Sequence, residues 1–267
     1  MELGAGEFGA HPELCFASRV AEDRLHLAPI PACNPDPGGT TREEWKRYTI
    51  GCMNVWLQPG SGDIICELAE PCDHELELLM MSDALFPILC QVIDIGGAPL
   101  HAGLIEREGM GILLAATGGV GKSTCCRRLP MSWNVLCDDE VLIVPKRSGR
   151  FVVHPLPTWS DYIFRNSVRT CDVQRQLPLS AVFFLRQGTF DEVTRVGRGE
   201  AAIRINHLAN DICGRLWIVS DGLDQQGMKK NLFNNACDLA REIPTFDLRV
   251  TLNGQFWRLI DNALSDL

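Results

Sequence analysis

Residues suited to holding and transferring a phosphate cluster near the middle of this chain. The run Gly118-Gly119-Val120-Gly121-Lys122-Ser123-Thr124 joins glycines to a lysine and two hydroxyls. Glycines let backbone N–H groups turn inward and approach phosphate oxygens closely. A helix beginning just beyond adds N–H donors that lack intrahelical partners, and the positive end of the helix dipole. Thr117 to Thr124 is therefore the expected nucleotide-binding stretch. Within it Lys122 neutralises the β- and γ-phosphates and the Ser123 hydroxyl ligates Mg²⁺. The usual pattern, G-x-x-x-x-G-K-[ST], has a glycine where this chain has Ala116, a turn that a small residue can hold.

Two more features narrow the chemistry. Asp138 and Asp139 follow the loop after one helix, at the mouth of the next strand. In an α/β layer that puts them beside the loop, in reach of the cation or of an attacking hydroxyl. One acid could bind metal while the other serves as base, because Mg²⁺ near a carboxylate lowers its proton affinity. The plain alternative is an exposed, capping turn. His101, in Leu100-His101-Ala102-Gly103-Leu104, reads alone as a core histidine; with the loop and the acid pair it reads as functional.

The elements that position these residues follow from patterning. Pro99–Glu106 and Gly111–Ala115 are apolar runs around a charged turn, a hairpin feeding the loop. A helix runs from Ser123 to Leu129. Val135–Cys137 and Val141–Val144 flank the acids, as one interrupted strand or as two with a bend between them. Phe151–Leu156 and Ala181–Leu185 are strands. Helices are expected over 198–213, with Ala201, Ile205, Leu208, Ala209 and Ile212 as the apolar stripe, over 228–241 and over 256–264. Phe246–Leu252 alternates as an edge strand would. Upstream, Glu13–Ile30 has room for short strands and Asn34–Gly39 is a turn. Tyr48–Leu57 and Asp63–Leu68 form a hairpin across Pro59–Gly62, and a helix follows Ser82 and ends at Gly96-Gly97. Two domains are expected: a small N-terminal α+β unit over 1–96, and a nucleotide-binding domain over 97–267.

Composition limits the partners. The 267 residues are 46% hydrophobic and 22% charged, enough for a packed core. A net charge of −9 disfavours general nucleic-acid binding. No apolar run approaches the ~20 residues that span a bilayer. The twelve cysteines contain no C-x-x-C and no metal-ligand spacing, and the start of the chain has no signal-peptide pattern. They are expected to be reduced and mostly buried in a cytoplasmic protein. Cys125 and Cys126 read as buried helix residues, and Trp159 and His154 as structural.

The series His101–Glu106, Gly111–Leu114, Gly118–Ser123 and Cys137–Asp139 resembles the catalytic core of bacterial HPr kinase/phosphorylase, whose nucleotide fold is shared with phosphoenolpyruvate carboxykinases. The resemblance covers roughly residues 97–160. Outside it, Pro155–Ser160 and Leu179–Gln187 are more similar to short HPr-kinase-like proteins of peptide natural-product clusters, such as the SynChlorMet cassette protein and lasso-peptide kinases. It implies an α/β P-loop core of mixed strands. It also implies an ATP- and Mg²⁺-dependent kinase acting on a hydroxyl, with serine the expected acceptor, of a peptide or small protein. His101, Lys122, Asp138 and Asp139 would be catalytic, with Ser123 and the aspartates on the metal and no assignment of base between the two acids. A homo-oligomer is compatible with this reading. The alternatives are a nucleotide-dependent peptide-binding module without chemistry and a kinase of small-molecule hydroxyls.

Overall fold

Tyr48, Thr49, Ile50, Val55 and Trp56 crowd β-favouring side chains into one short stretch, and strands form there. The computed structural model describes residues 14–17, 46–50, 53–57, 64–68, 82–146, 148–156, 172–221 and 224–266. Strands β1 (Leu14–Ala17), β2 (Lys46–Ile50), β3 (Met53–Leu57), β4 (Ile64–Leu68) and β12 (Ser220–Asp221) make a five-stranded sheet in the order β1-β4-β3-β2-β12. The expected hairpin across 59–62 is the antiparallel β3–β4 pair. Its first arm is itself two strands, with Ile50 opposite Met53, so the break falls at Gly51-Cys52. The turns at 34–39 and 59–62, and Trp159, lie outside the described residues.

Helix α1 (Phe86–Asp94) starts later than its Ser82 cap suggested. Pro87 sits in its first turn, where a missing N–H costs least. Gly96, at φ 93°, ends it, and the Gly97 N–H bonds the Val92 carbonyl at 2.8 Å. The chain divides into one unit of residues 1–91 and 215–224 and another of 92–214 and 225–267. In the first unit Asp83 is buried and held by a two-pronged pair from Arg215, at 2.6 and 3.1 Å. The division falls at Gln91, not Gly96, and residues 215–224 join the first unit because β12 pairs with β2.

The second unit is built on β5 (Ala98–Arg107), β6 (Met110–Ala115), β7 (Asn134–Cys137), β8 (Glu140–Pro145), β9 (Phe151–Pro155), β10 (Leu177–Gln187), β11 (Glu192–Arg195) and β13 (Thr245–Val250). The order is β11-β13-β10-β6-β5-β8-β9, with β7 also on β5. β10 runs parallel to β6 and β13, and the remaining pairs are antiparallel. The β5–β6 turn carries Glu108 at φ 54° and Gly109 at φ 79°, as a two-residue type I′ hairpin requires. The start of β10 also pairs with β9, so β5, β6, β10, β9 and β8 close into a ring. Gly111 makes that closure possible: a Cβ there would stand 2.8 Å from Val153 Cγ1.

Helices α2 (Lys122–Arg128), α3 (Arg198–Val219), α4 (Gln225–Glu242) and α5 (Phe256–Ser265) complete a mixed α/β fold. Ile105, Ile112, Leu114, Phe183 and Leu248 pack with Cys125 and Cys126 of α2 and with Phe256 and Ile260 of α5 in one core. In α4 the buried Asn235 amide donates to the carbonyls of Ile93 and Gly97, at 2.7 and 2.8 Å. The expected stripe of α3 is buried at Ala201, Ile205, Leu208 and Ala209, while Cys213, not Ile212, takes the next fully buried place.

Two expectations are corrected. The 246–252 run is not an edge strand: β13 lies between β10 and β11. Helix α4 begins at Gln225, ahead of the expected start at Met228, so Gly227 lies inside it.

Candidate functional site

The loop after β6 is fixed at its start and open at its mouth. The Ala116 N–H donates to the His101 carbonyl at 3.1 Å, tying the loop to β5. Among the described residues, Glu108 is the non-glycine with positive φ. Ala116 therefore keeps an ordinary backbone conformation, which explains why a glycine is not needed there. Gly119 and Gly121 do need theirs, at φ 78° and 115°. A Cβ on either would meet nothing within 4 Å. Thr117, Gly118 and Gly119 are exposed, and α2 begins at Lys122 without a side-chain cap. Ser123 and Thr124 stand half-buried in its first turn. The loop is braced from β10, where the Gln187 amide donates to the Val120 carbonyl at 3.1 Å.

Lys122 is 6% exposed. Its ammonium donates to the Ala116 and Thr117 carbonyls, at 2.9 and 3.2 Å. Burial pulls its pKa down, and the charges of Asp139 and then Asp138 oppose that pull. The aspartates form the bend between β7 and β8, which resolves the choice left open by the sequence in favour of two strands. Both strands pair with β5, so the bend is delivered beside His101: Leu104 lies opposite Cys137, and His101 opposite Glu140. His101 Nε2 stands 2.8 Å from Asp139 Oδ1. A Cβ on Gly118 would lie 4.0 Å from the His101 ring. On β5, Gly103 gives the clearance that brings α2 against the bend. A Cβ there would sit 2.9 Å from Cys126 Sγ and 3.5 Å from the Asp138 Cα. His101, Lys122, Asp138, Asp139 and the loop thus gather at one place.

Glu140 joins them, although residue type alone gave no reason to separate it from the acidic run. Burial, and next the Asp139 charge, push its carboxyl up to about 7, against the pull of His101 and Lys122. Gln187 was also missed; no motif marks a neutral amide so far from the loop in sequence. Cys125 and Cys126 are free and buried, and burial raises their thiols to about 11 and 12. They are neutral packing residues, not thiolates.

No group of three or more His, Cys, Asp or Glu side chains able to hold a metal occurs among the described residues. Mg²⁺ does not require one, because it keeps waters and takes phosphate oxygens along with one or two carboxylates. The donor set of Ser123, Asp138 and Asp139 is of the hard-oxygen type it accepts. Among the described residues no helix is long and apolar enough to cross a membrane.

On the other side of the loop, a cleft of about 320 Å³ opens between the end of β10 and α3. Val120 and Thr117 line it from the loop, Phe184 from β10, and Ile203, Arg204 and His207 from α3.

Comparison with curated proteins returns no match. The family described as SynChlorMet cassette protein ScmC matches residues 64–265, well over half of the chain. The chain belongs to the SynChlorMet cassette protein ScmC family.

Proposed function

We propose that this protein is an ATP- and Mg²⁺-dependent kinase that phosphorylates a hydroxyl, serine by preference, on a peptide or small protein, with an HPr-kinase-like P-loop core. The observation that carries the reading is the meeting of a buried lysine with an aspartate–histidine pair at the mouth of a glycine loop. Phosphoryl transfer needs positioning and charge neutralisation more than covalent catalysis. The loop N–H groups would cradle the phosphates, and Lys122 would exchange its carbonyl partners for phosphate oxygens. Ser123 and Asp138 would hold Mg²⁺, which supplies further charge neutralisation at the phosphates. Asp139, oriented by His101, would accept the hydroxyl proton as the acceptor oxygen bonds the γ-phosphorus and the bond to the β-phosphate oxygen breaks. ADP and a phosphate ester are the products. The N-terminal unit would help recognise the acceptor, in a cytoplasmic setting.

The test is incubation with MgATP and a panel of serine peptides and small proteins, read by mass spectrometry. A gain of one phosphate is expected on an acceptor, and Asp139→Asn should lower its rate at least ~100-fold while nucleotide binding persists. Nucleotide binding with no transfer to any acceptor would overturn the kinase reading. It would favour a binding module without chemistry, to which the hold of the Ala116 and Thr117 carbonyls on Lys122 also points. ADP release with small hydroxyl compounds alone would move the acceptor to that class.

A further inference from the structure

The phosphate-loop reading leaves the other end of the nucleotide without a place. Strand order supplies one. The loop leaves β6, which lies between β5 and β10. The acids and His101 are on the β5 side, and the cleft is on the β10 side, where Phe184 lies opposite Ala115 in register. An acceptor hydroxyl must approach the acids, so the nucleoside must extend the other way. We infer that the cleft lined by Val120, Phe184, Ile203 and Arg204 seats the nucleoside of the nucleotide whose phosphates the loop holds, an inference that rests on the phosphate-loop reading.

The chemistry of the cleft suits a flat, uncharged ring. Phe184 is 4% exposed and forms an apolar wall. The Arg204 guanidinium lies 5.2 Å above its ring. Arg204 is matched by two carboxylates, Asp247 at 3.1 Å and Glu200 one turn earlier in α3. Its charge is thus neutralised locally, so the cleft does not call for a second phosphate. What remains is a charge-compensated guanidinium over an aromatic ring with apolar flanks, a surface against which a flat heterocycle can pack. Ile203, 64% exposed, is an aliphatic side chain left at the rim of this cleft. Besides Arg204, Thr117 and His207 are the polar side chains there, able to bond ribose hydroxyls or ring nitrogens. The volume lies at the lower end of the roughly 300–1,000 Å³ typical of small-ligand sites, and the cleft is continuous with the loop.

Calorimetric titration of the full chain with ATP and with inorganic tripolyphosphate, each with Mg²⁺, tests this. ATP should bind at least tenfold tighter than tripolyphosphate. Ile203→Glu, on an exposed helix position, should remove that margin and leave tripolyphosphate affinity unchanged. Ile203→Ala should shrink it severalfold and serves if the charge disturbs the helix. Equal affinity of the two ligands for the unaltered protein, or a margin that survives both substitutions, would overturn the nucleoside site alone. Binding of neither ligand would overturn the phosphate-loop reading, and this inference with it.

Discussion

Glu140 ionises at a cost. Its carboxyl titrates near 7 in the folded chain against an ordinary 4.5, chiefly because it is buried. Below pH 4.5 both folded and unfolded chains hold the proton, and the group contributes no difference. Between pH 4.5 and 7 the unfolded chain releases the proton while the folded chain keeps it, so stability falls across that window by roughly 1–3 kcal/mol, after allowance for partial exposure, and levels off once the buried carboxyl ionises above 7. Glu140→Gln is therefore expected to melt higher than the unaltered protein at pH 8 and at the same temperature near pH 4. Equal melting at pH 8 would remove the argument. At this scale the sequence was informative where residue type carries chemistry in a fixed spacing. Lys122, Asp138, Asp139 and His101 were all nameable. Glu140 was not, because a third acid in a row looks like a solvated turn. Gln187 was not, because only the register of β10 beside β6 brings it to Val120.

Elements were legible where apolar period and turn chemistry agreed. The β5–β6 hairpin and the loop helix fell where expected. β13 misled for a physical reason. Its alternation is real, but its polar positions face ion partners instead of water. Asp247, 8% exposed, meets Arg186 and Arg204, and Arg249 meets Glu192. β11, which covers that side, reads Glu-Val-Thr-Arg, and its one apolar residue, Val193, is too little to mark a strand. The packing of α2 on β5 can be tested through Gly103. Gly103→Ala should cost about 1–3 kcal/mol by forcing a methyl against the Cys126 sulfur. Cys126→Ala should restore part of that loss in the double variant, as thermal melts of the four proteins would show. An additive cycle would mean that the two positions do not share the contact.

The chain as a whole is not two segments laid end to end. It leaves the larger unit at Gly214 and re-enters it at Gln225. What returns includes β13, an interior strand, and α5, whose Phe256 and Ile260 are fully buried in the core. A chain ended at Gly214 is accordingly expected to lose cooperative melting, although the loop, His101 and both aspartates remain in it. A sharp transition for that shortened chain would show that the later elements are dispensable. The sequence suggested a cut at Gly96 because glycine pairs end helices. It gave no sign of the return at 215–224, since Ser220–Asp221 becomes a strand only by pairing with β2.

The sulfur of Cys126 sits against Gly103, closed off from water and kept protonated. An alkylating reagent can reach it only in moments when α2 lifts from β5. The pace at which a mass tag accumulates on that thiol is thus a clock for the breathing of the helix that carries Lys122. Anything that clasps the loop from outside would slow the clock without touching the sulfur.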